Sequence, residues 1–162
     1  MTDSRVCPFL AIYCVDDAPL ARPVLAELER LGLLLFPRWF GLVPWPQRWR
    51  LREDKMERST VVLLFWSARA SRDENACYQI NRAIDLGYRF TVVCLDDAPM
   101  PGLPRATAEY HARLRFLAGH QWYGWLKQFA REIGGALAAA HALSVRSQRE
   151  AAGYLPARQR EI

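Results

Sequence analysis

The run TVVLLFW at residues 60–66 constrains this chain more than any other stretch. Its β-branched, aliphatic and aromatic residues carry no charge and leave no alternate position for a polar face, so as a strand it has no side for water. A strand buried on both faces needs cover on both, which points to a parallel sheet between helical layers. As a membrane span the run falls far short of the about 20 apolar residues required.

The flanking segments agree. PFLAIYC (8–14) is a short apolar run ended by Asp16 and Asp17, which suits a buried strand followed by a helix cap. From Pro19 to Gly32, Leu20, Val24, Leu25, Leu28 and Leu31 recur at helical spacing and Gly32 closes the pattern. Leu33 to Phe36 reads as a second strand. PRWFGLVPWPQRW (37–49), rich in Pro and Trp, reads as a loop, and Gln47 to Arg58 as a modest surface helix. Asp73 to Gly87 is helical, with Ala76, Cys77, Ile80, Ala83 and Ile84 on one face. Phe90 to Leu95 is a further strand, Asp96 to Ala108 a loop, Arg113 to Leu117 a short final strand, and Gln121 to about Leu143 the last helix. Residues from Ser144 onward are polar and Arg-rich and read as an extension. The alternation implies βαβ units, with the ligand crevice outside the carboxyl ends of the strands, an edge formed by Cys14 to Asp17, the Trp-rich loop, Ser67 to Asn75 and the Asp96 to Pro104 loop.

At 162 residues the chain has the size of one domain. Its net charge of +5 is spread along the chain and interleaved with Asp and Glu, which argues for a mildly basic solvated surface and against nucleic acid as a partner. The start, MTDSRVCPF, does not read as a secretory signal, and the expected location is the cytoplasm. Cys7, Cys14, Cys77 and Cys94 stand singly, with no C-x-x-C pair and no His at ligand spacing. They read as reduced, mostly buried residues rather than metal ligands or a disulfide framework. No phosphate-binding glycine loop occurs, and His111, His120 and His141 have no Ser or Cys partner at suggestive spacing.

Several motifs in order give a family likeness: FLAIYCVDDA (9–18), GLLLFPRWFGLVPWPQRW (32–49) with Gly32, Phe36, Pro44 and Trp49, RSTVVLLFWS (58–67), CYQINRAIDLG (77–87) and FTVVCLDDAPMPGLP (90–104). Together they resemble the TIR (Toll/interleukin-1 receptor) domain of bacterial standalone type. The second motif lacks the family's acidic residue and the second glycine of its loop. The resemblance implies a flavodoxin-like, five-stranded parallel sheet with helices on both faces over residues 1–143, followed by an extension over 144–162. It also implies one of two functions. The first is cleavage or rearrangement of NAD at the nicotinamide–ribose bond in anti-phage immune signalling. The second is a nonenzymatic adaptor that acts by self-association. NAD is then substrate or ligand, with no cofactor or metal. The implied partners are an NAD-derived nucleotide, other copies of the chain through the 37–49 loop, and a downstream effector or sensor protein, with no membrane.

The family's catalytic Glu falls at position 79, where this chain has Gln79. Breaking a glycosidic bond to a cationic nicotinamide passes through an oxocarbenium-like ribose, which a carboxylate orients and stabilises. Gln keeps the shape and one acceptor oxygen but not the charge. Loss of one preorganised electrostatic contact costs on the order of 100-fold to 1,000-fold in rate. Three readings stay open: an isosteric exchange of a natural Glu, a nonenzymatic protein, or a register shift that puts Asp73 or Glu74 in the site. The plain alternative is a solvent-facing helix Gln.

The resemblance also implies nucleotide contacts. Tyr13, Cys14 and Asp16 end the first strand on the ribose side. Trp39, Trp45 and Trp49 can stack on a base, and Arg38 can meet pyrophosphate. Trp49 reads equally as core under the loop, Asp17 as a helix cap, and Ser67 as either a cap or a ligand contact.

Overall fold

A computed structural model describes residues 9–33, 35–36, 61–104, 106–111 and 120–160, with the side chains of 35–36, 106–111, 120–125 and 152–160 left aside. The elements are β1 (Phe9–Ile12), a 3-10 turn (Val15–Asp17), α1 (Ala18–Arg30), β2 (Leu35–Phe36), β3 (Val61–Trp66), α2 (Ala68–Arg72), α3 (Glu74–Asp85), β4 (Arg89–Cys94), β5 (Ala106–His111) and α4 (His120–Arg160). The strands form one parallel sheet in the order β2-β1-β3-β4-β5. The expected mixed α/β architecture with a parallel sheet is what the chain adopts.

All six residues of β3 are buried, and their side chains alternate between two cores. Val61, Leu63 and Phe65 join Phe9 and Val93 beneath α1 and α4, through Val24, Leu28, Phe129, Ile133 and Leu137. Val62, Leu64 and Trp66 join Leu10, Ile12, Phe90 and Val92 on the other face, beneath Ala70 of α2 and Ala76, Ile80 and Ala83 of α3. The two-sided burial that 60–66 demanded is met by helices on both sides.

Both α1 and α3 stop at a glycine in the left-handed region, Gly32 (φ 86°) and Gly87 (φ 75°). Each helix closes with paired backbone bonds: Leu33 N–H to Leu28 O (3.1 Å) with Gly32 N–H to Glu29 O (2.9 Å), and Tyr88 N–H to Ala83 O with Gly87 N–H to Ile84 O (both 3.0 Å). That arrangement satisfies the last carbonyls and needs the φ that glycine adopts without strain.

Several boundaries differ from the sequence expectation. A short helix, α2, stands where only a connection to the next helix was expected, because Ser67 caps it through a bond from Ala70 N–H to its Oγ (3.1 Å). The loop after β4 is shorter than Asp96 to Ala108, since β5 already begins at Ala106. The last helix does not end near Leu143 but runs on to Arg160. Ser144 is buried there and accepts a hydrogen bond from Arg89 Nε (3.0 Å), and VRSQREAA (145–152) is composed largely of good helix formers. Position 144 is therefore not a structural break. The expected helix at 47–58, the 37–49 loop and the strand at 113–117 lie outside the described residues.

Candidate functional site

In a parallel sheet a crevice opens where successive connections leave in opposite directions. Here β1 connects through α1 to β2 on one side, whereas β3 connects through α2 and α3 to β4 on the other. The switch therefore lies between β1 and β3, at their carboxyl ends. A cleft of about 360 Å³ sits at this point, lined by Cys14, Val15 and Asp16 after β1 and by Arg69, Arg72 and Asp73 after β3. That volume is at the lower end of the roughly 300–1,000 Å³ typical of ligand pockets.

Beside the cleft, buried and half-buried side chains form a polar lattice. Asp17, 2% exposed, accepts a hydrogen bond at Oδ2 from Ser67 Oγ (2.5 Å), which joins the loops after β1 and β3. The same Ser67 Oγ accepts from Ala70 N–H, so one hydroxyl both caps α2 and links the loops. Asp96, after β4, accepts from Ala68 N–H (2.9 Å) and Ala98 N–H (3.0 Å), and Trp66 Nε1 donates to Pro99 O (2.9 Å). Three strand ends are thereby fastened to one another by side chains.

Most residues that line the cleft face solvent. Arg69 donates from Nη1 to Asp16 O (3.4 Å), and the same atom lies 4.0 Å from Asp17 Oδ1. Asp73 caps α3 by accepting from Asn75 N–H (3.3 Å). Val15 is 75% exposed. Burial pushes the Cys14 thiol above its ordinary range; a backbone hydrogen bond from Asp16 opposes this, and the nearby carboxylates of Asp73, Asp17 and Asp16 add to it. Cys14 is thus a neutral thiol at physiological pH and not a thiolate nucleophile.

The residues named from sequence separate clearly. Cys14 and Asp16 line the cleft. Tyr13 turns to the opposite face of the sheet, where its ring meets Phe65 edge-on with centroids 6.3 Å apart. Ser67 is buried and spends its hydroxyl inside the protein, which fits its reading as a cap. Arg38, Trp39, Trp45 and Trp49 lie outside the described residues. Gln79 is 8% exposed, on the face of α3 that also carries Ala76, Ile80 and Ala83, which corrects the solvent-facing alternative. It is not among the residues that line the cleft. Its position is six residues beyond Asp73, about 9 Å further along the helix axis at about 1.5 Å per residue.

The sequence places residues 67–75 and 96–104 at the crevice edge but does not single out Arg69, Arg72 or Asp96 as ligand contacts, and it names Asp73 as one only through a register shift. Arg69 and Arg72 sit in SARASRDEN (67–75), where charge reads as a solvated helix face. Their place directly after the central strand brings them to the edge where such sheets bind ligands, and nothing local in the sequence distinguishes them within that edge. Comparison of the chain with protein families, with curated proteins and with solved structures finds no match in any of the three.

Proposed function

We propose that the chain is a TIR-like domain of flavodoxin-like strand order that binds NAD in the cleft between the loops after β1 and β3 and acts by self-association in cytoplasmic immune signalling. The observation that carries this reading is the cleft itself, placed at the switch between β1 and β3 and lined by two arginines and two aspartates. Guanidinium groups suit pyrophosphate, and carboxylates suit ribose hydroxyls. The family's reaction breaks the bond from ribose C1′ to the nicotinamide nitrogen. The electron pair leaves with nicotinamide, and water completes ADP-ribose, or an internal nucleophile completes a cyclic isomer. Position 79 bears Gln79, so in this form the domain binds NAD with little turnover.

A second reading, a nonenzymatic adaptor, is favoured by the uncharged and buried state of Gln79. The Gln79→Glu chain, incubated with NAD at high protein concentration, separates the two by nicotinamide release. Release supports the enzyme. Its absence in every assembled or partner-activated state contradicts the enzyme and leaves the adaptor, whose assembly is then expected to be lost in Trp45→Ala with no nucleotide bound.

A further inference from the structure

The side chains around the cleft divide into two chemically distinct pairs. Arg69 and Arg72 lie three residues apart on α2, neighbours on one helix surface. Arg69 is held by Asp16 O and lies near Asp17, whereas Arg72 has no hydrogen bond or ion pair to another described residue. Asp16 and Asp73 approach from the two walls, one in the turn after β1 and the other at the junction of α2 and α3. Asp16 is exposed and Asp73 half-buried, so both carboxylates remain accessible.

We propose that Arg69 and Arg72 hold the pyrophosphate of the bound dinucleotide while Asp73 holds the vicinal hydroxyls of a ribose, so that the carboxylate in reach of the ligand is residue 73 rather than residue 79. This rests on the nucleotide-binding reading given above. A guanidinium meets phosphate oxygens with paired N–H donors, and an ionised carboxylate accepts from two adjacent hydroxyls at once. The buried bond between Ser67 and Asp17 joins the two walls, which places the arginines and Asp73 in one frame before any ligand arrives. Val15 offers apolar surface at the rim for a flat ring. Cys14, held as a neutral thiol, adds no negative charge to repel phosphate.

The test is calorimetric titration of the full chain with three probes: NAD, nicotinamide riboside and inorganic pyrophosphate. Asp73→Asn is expected to weaken NAD and nicotinamide riboside at least tenfold and to leave pyrophosphate unchanged. Arg72→Gln is expected to weaken NAD and pyrophosphate at least tenfold and to leave the riboside unchanged. Asn caps a helix about as well as Asp, so Asp73→Asn keeps α3 intact, and thermal unfolding checks both variants. If both variants bind NAD as tightly as the parent chain, the assignment of these residues is overturned while NAD binding stands. Arg72-dependent pyrophosphate binding and Asp73-dependent riboside binding without NAD binding would uphold the residue assignment and overturn the NAD reading. Failure of the parent chain to bind any of the three overturns both.

Discussion

At the carboxyl end of the sheet, buried side chains bond across the loops, and at the amino end the two returning helices close on backbone bonds. At the carboxyl end Asp17, Ser67, Trp66 and Asp96 bond across the loops after β1, β3 and β4. At the amino end α1 and α3 finish in glycine-capped turns whose carbonyls are satisfied by main-chain N–H groups, and side-chain contacts there include Arg89 to Ser144 and the Phe9 ring against His141, centroids 5.7 Å apart. Closure by backbone asks only for a glycine at the right place. Closure by buried polar side chains demands specific partners from distant segments, and an unmade bond there carries a desolvation cost. That demand is worth meeting where loops must be stiff, and the cleft opens from the same loops.

Substitutions at the two ends should therefore differ in size. Asp17→Ala removes the partner of a buried hydroxyl and the tie between two loops, and it is expected to cost about 2–3 kcal/mol in urea unfolding. Between the ends, Thr91 on β4 is fully buried, and its hydroxyl has no hydrogen-bond partner among the described residues. Thr91→Val keeps the shape and removes the orphan group, so it should stabilise by about 1 kcal/mol. Arg89→Ala, at the amino end, should cost only about 0.5–1 kcal/mol, since it removes a single, part-buried hydrogen bond whose donor is half-exposed. A cost for Arg89→Ala equal to that of Asp17→Ala would break the contrast.

The packing of α4 gives a finer comparison. A Cβ added at Gly134 would come within 3.3 Å of Leu33 Cδ1, whereas one at Gly135 meets nothing within 4 Å. Gly135→Ala should stabilise by about 0.5–1 kcal/mol through helix propensity, and Gly134→Ala should give less because the Leu33 side chain must yield. Thermal unfolding of the pair distinguishes them.

Cys14 adds a pH signature at the carboxyl end. Its thiol is raised in the folded state, so the unfolded chain loses that proton first as pH rises. The unfolded state then binds fewer protons than the native one, and stability falls with increasing pH above about 8.5, the ordinary thiol value. Cys14→Ala should flatten that part of the stability–pH curve relative to the parent chain. An unchanged alkaline slope would remove Cys14 from the account.

Much of this frame was legible in the residues. TVVLLFW carries the two-sided burial on its face, because an uncharged strand without alternation has nowhere to go but the centre. Gly32 and Gly87 mark their helix ends for an equally local reason. The site was less legible because its partnerships are long-range: Ser67 meets Asp17 across 50 residues, and Ala68 meets Asp96 across 28. Family pattern directed attention to Gln79, which the helix turns inward among Ala76, Ile80 and Ala83. At the start of the same helix a carboxylate, Asp73, lines the cleft. The polar 144–162 segment read as an extension because charge density hides the continuation of a helix whose inward face still reaches Ser144.

The central claim is that NAD enters between the loops after β1 and β3. Amide chemical-shift mapping by NMR during an NAD titration tests it most directly, in a chain of 18.6 kDa. The account predicts perturbations concentrated at residues 14–17 and 67–73. No perturbation at saturating NAD, or perturbations confined to the amino end of the sheet near Arg89 and Ser144, would contradict it.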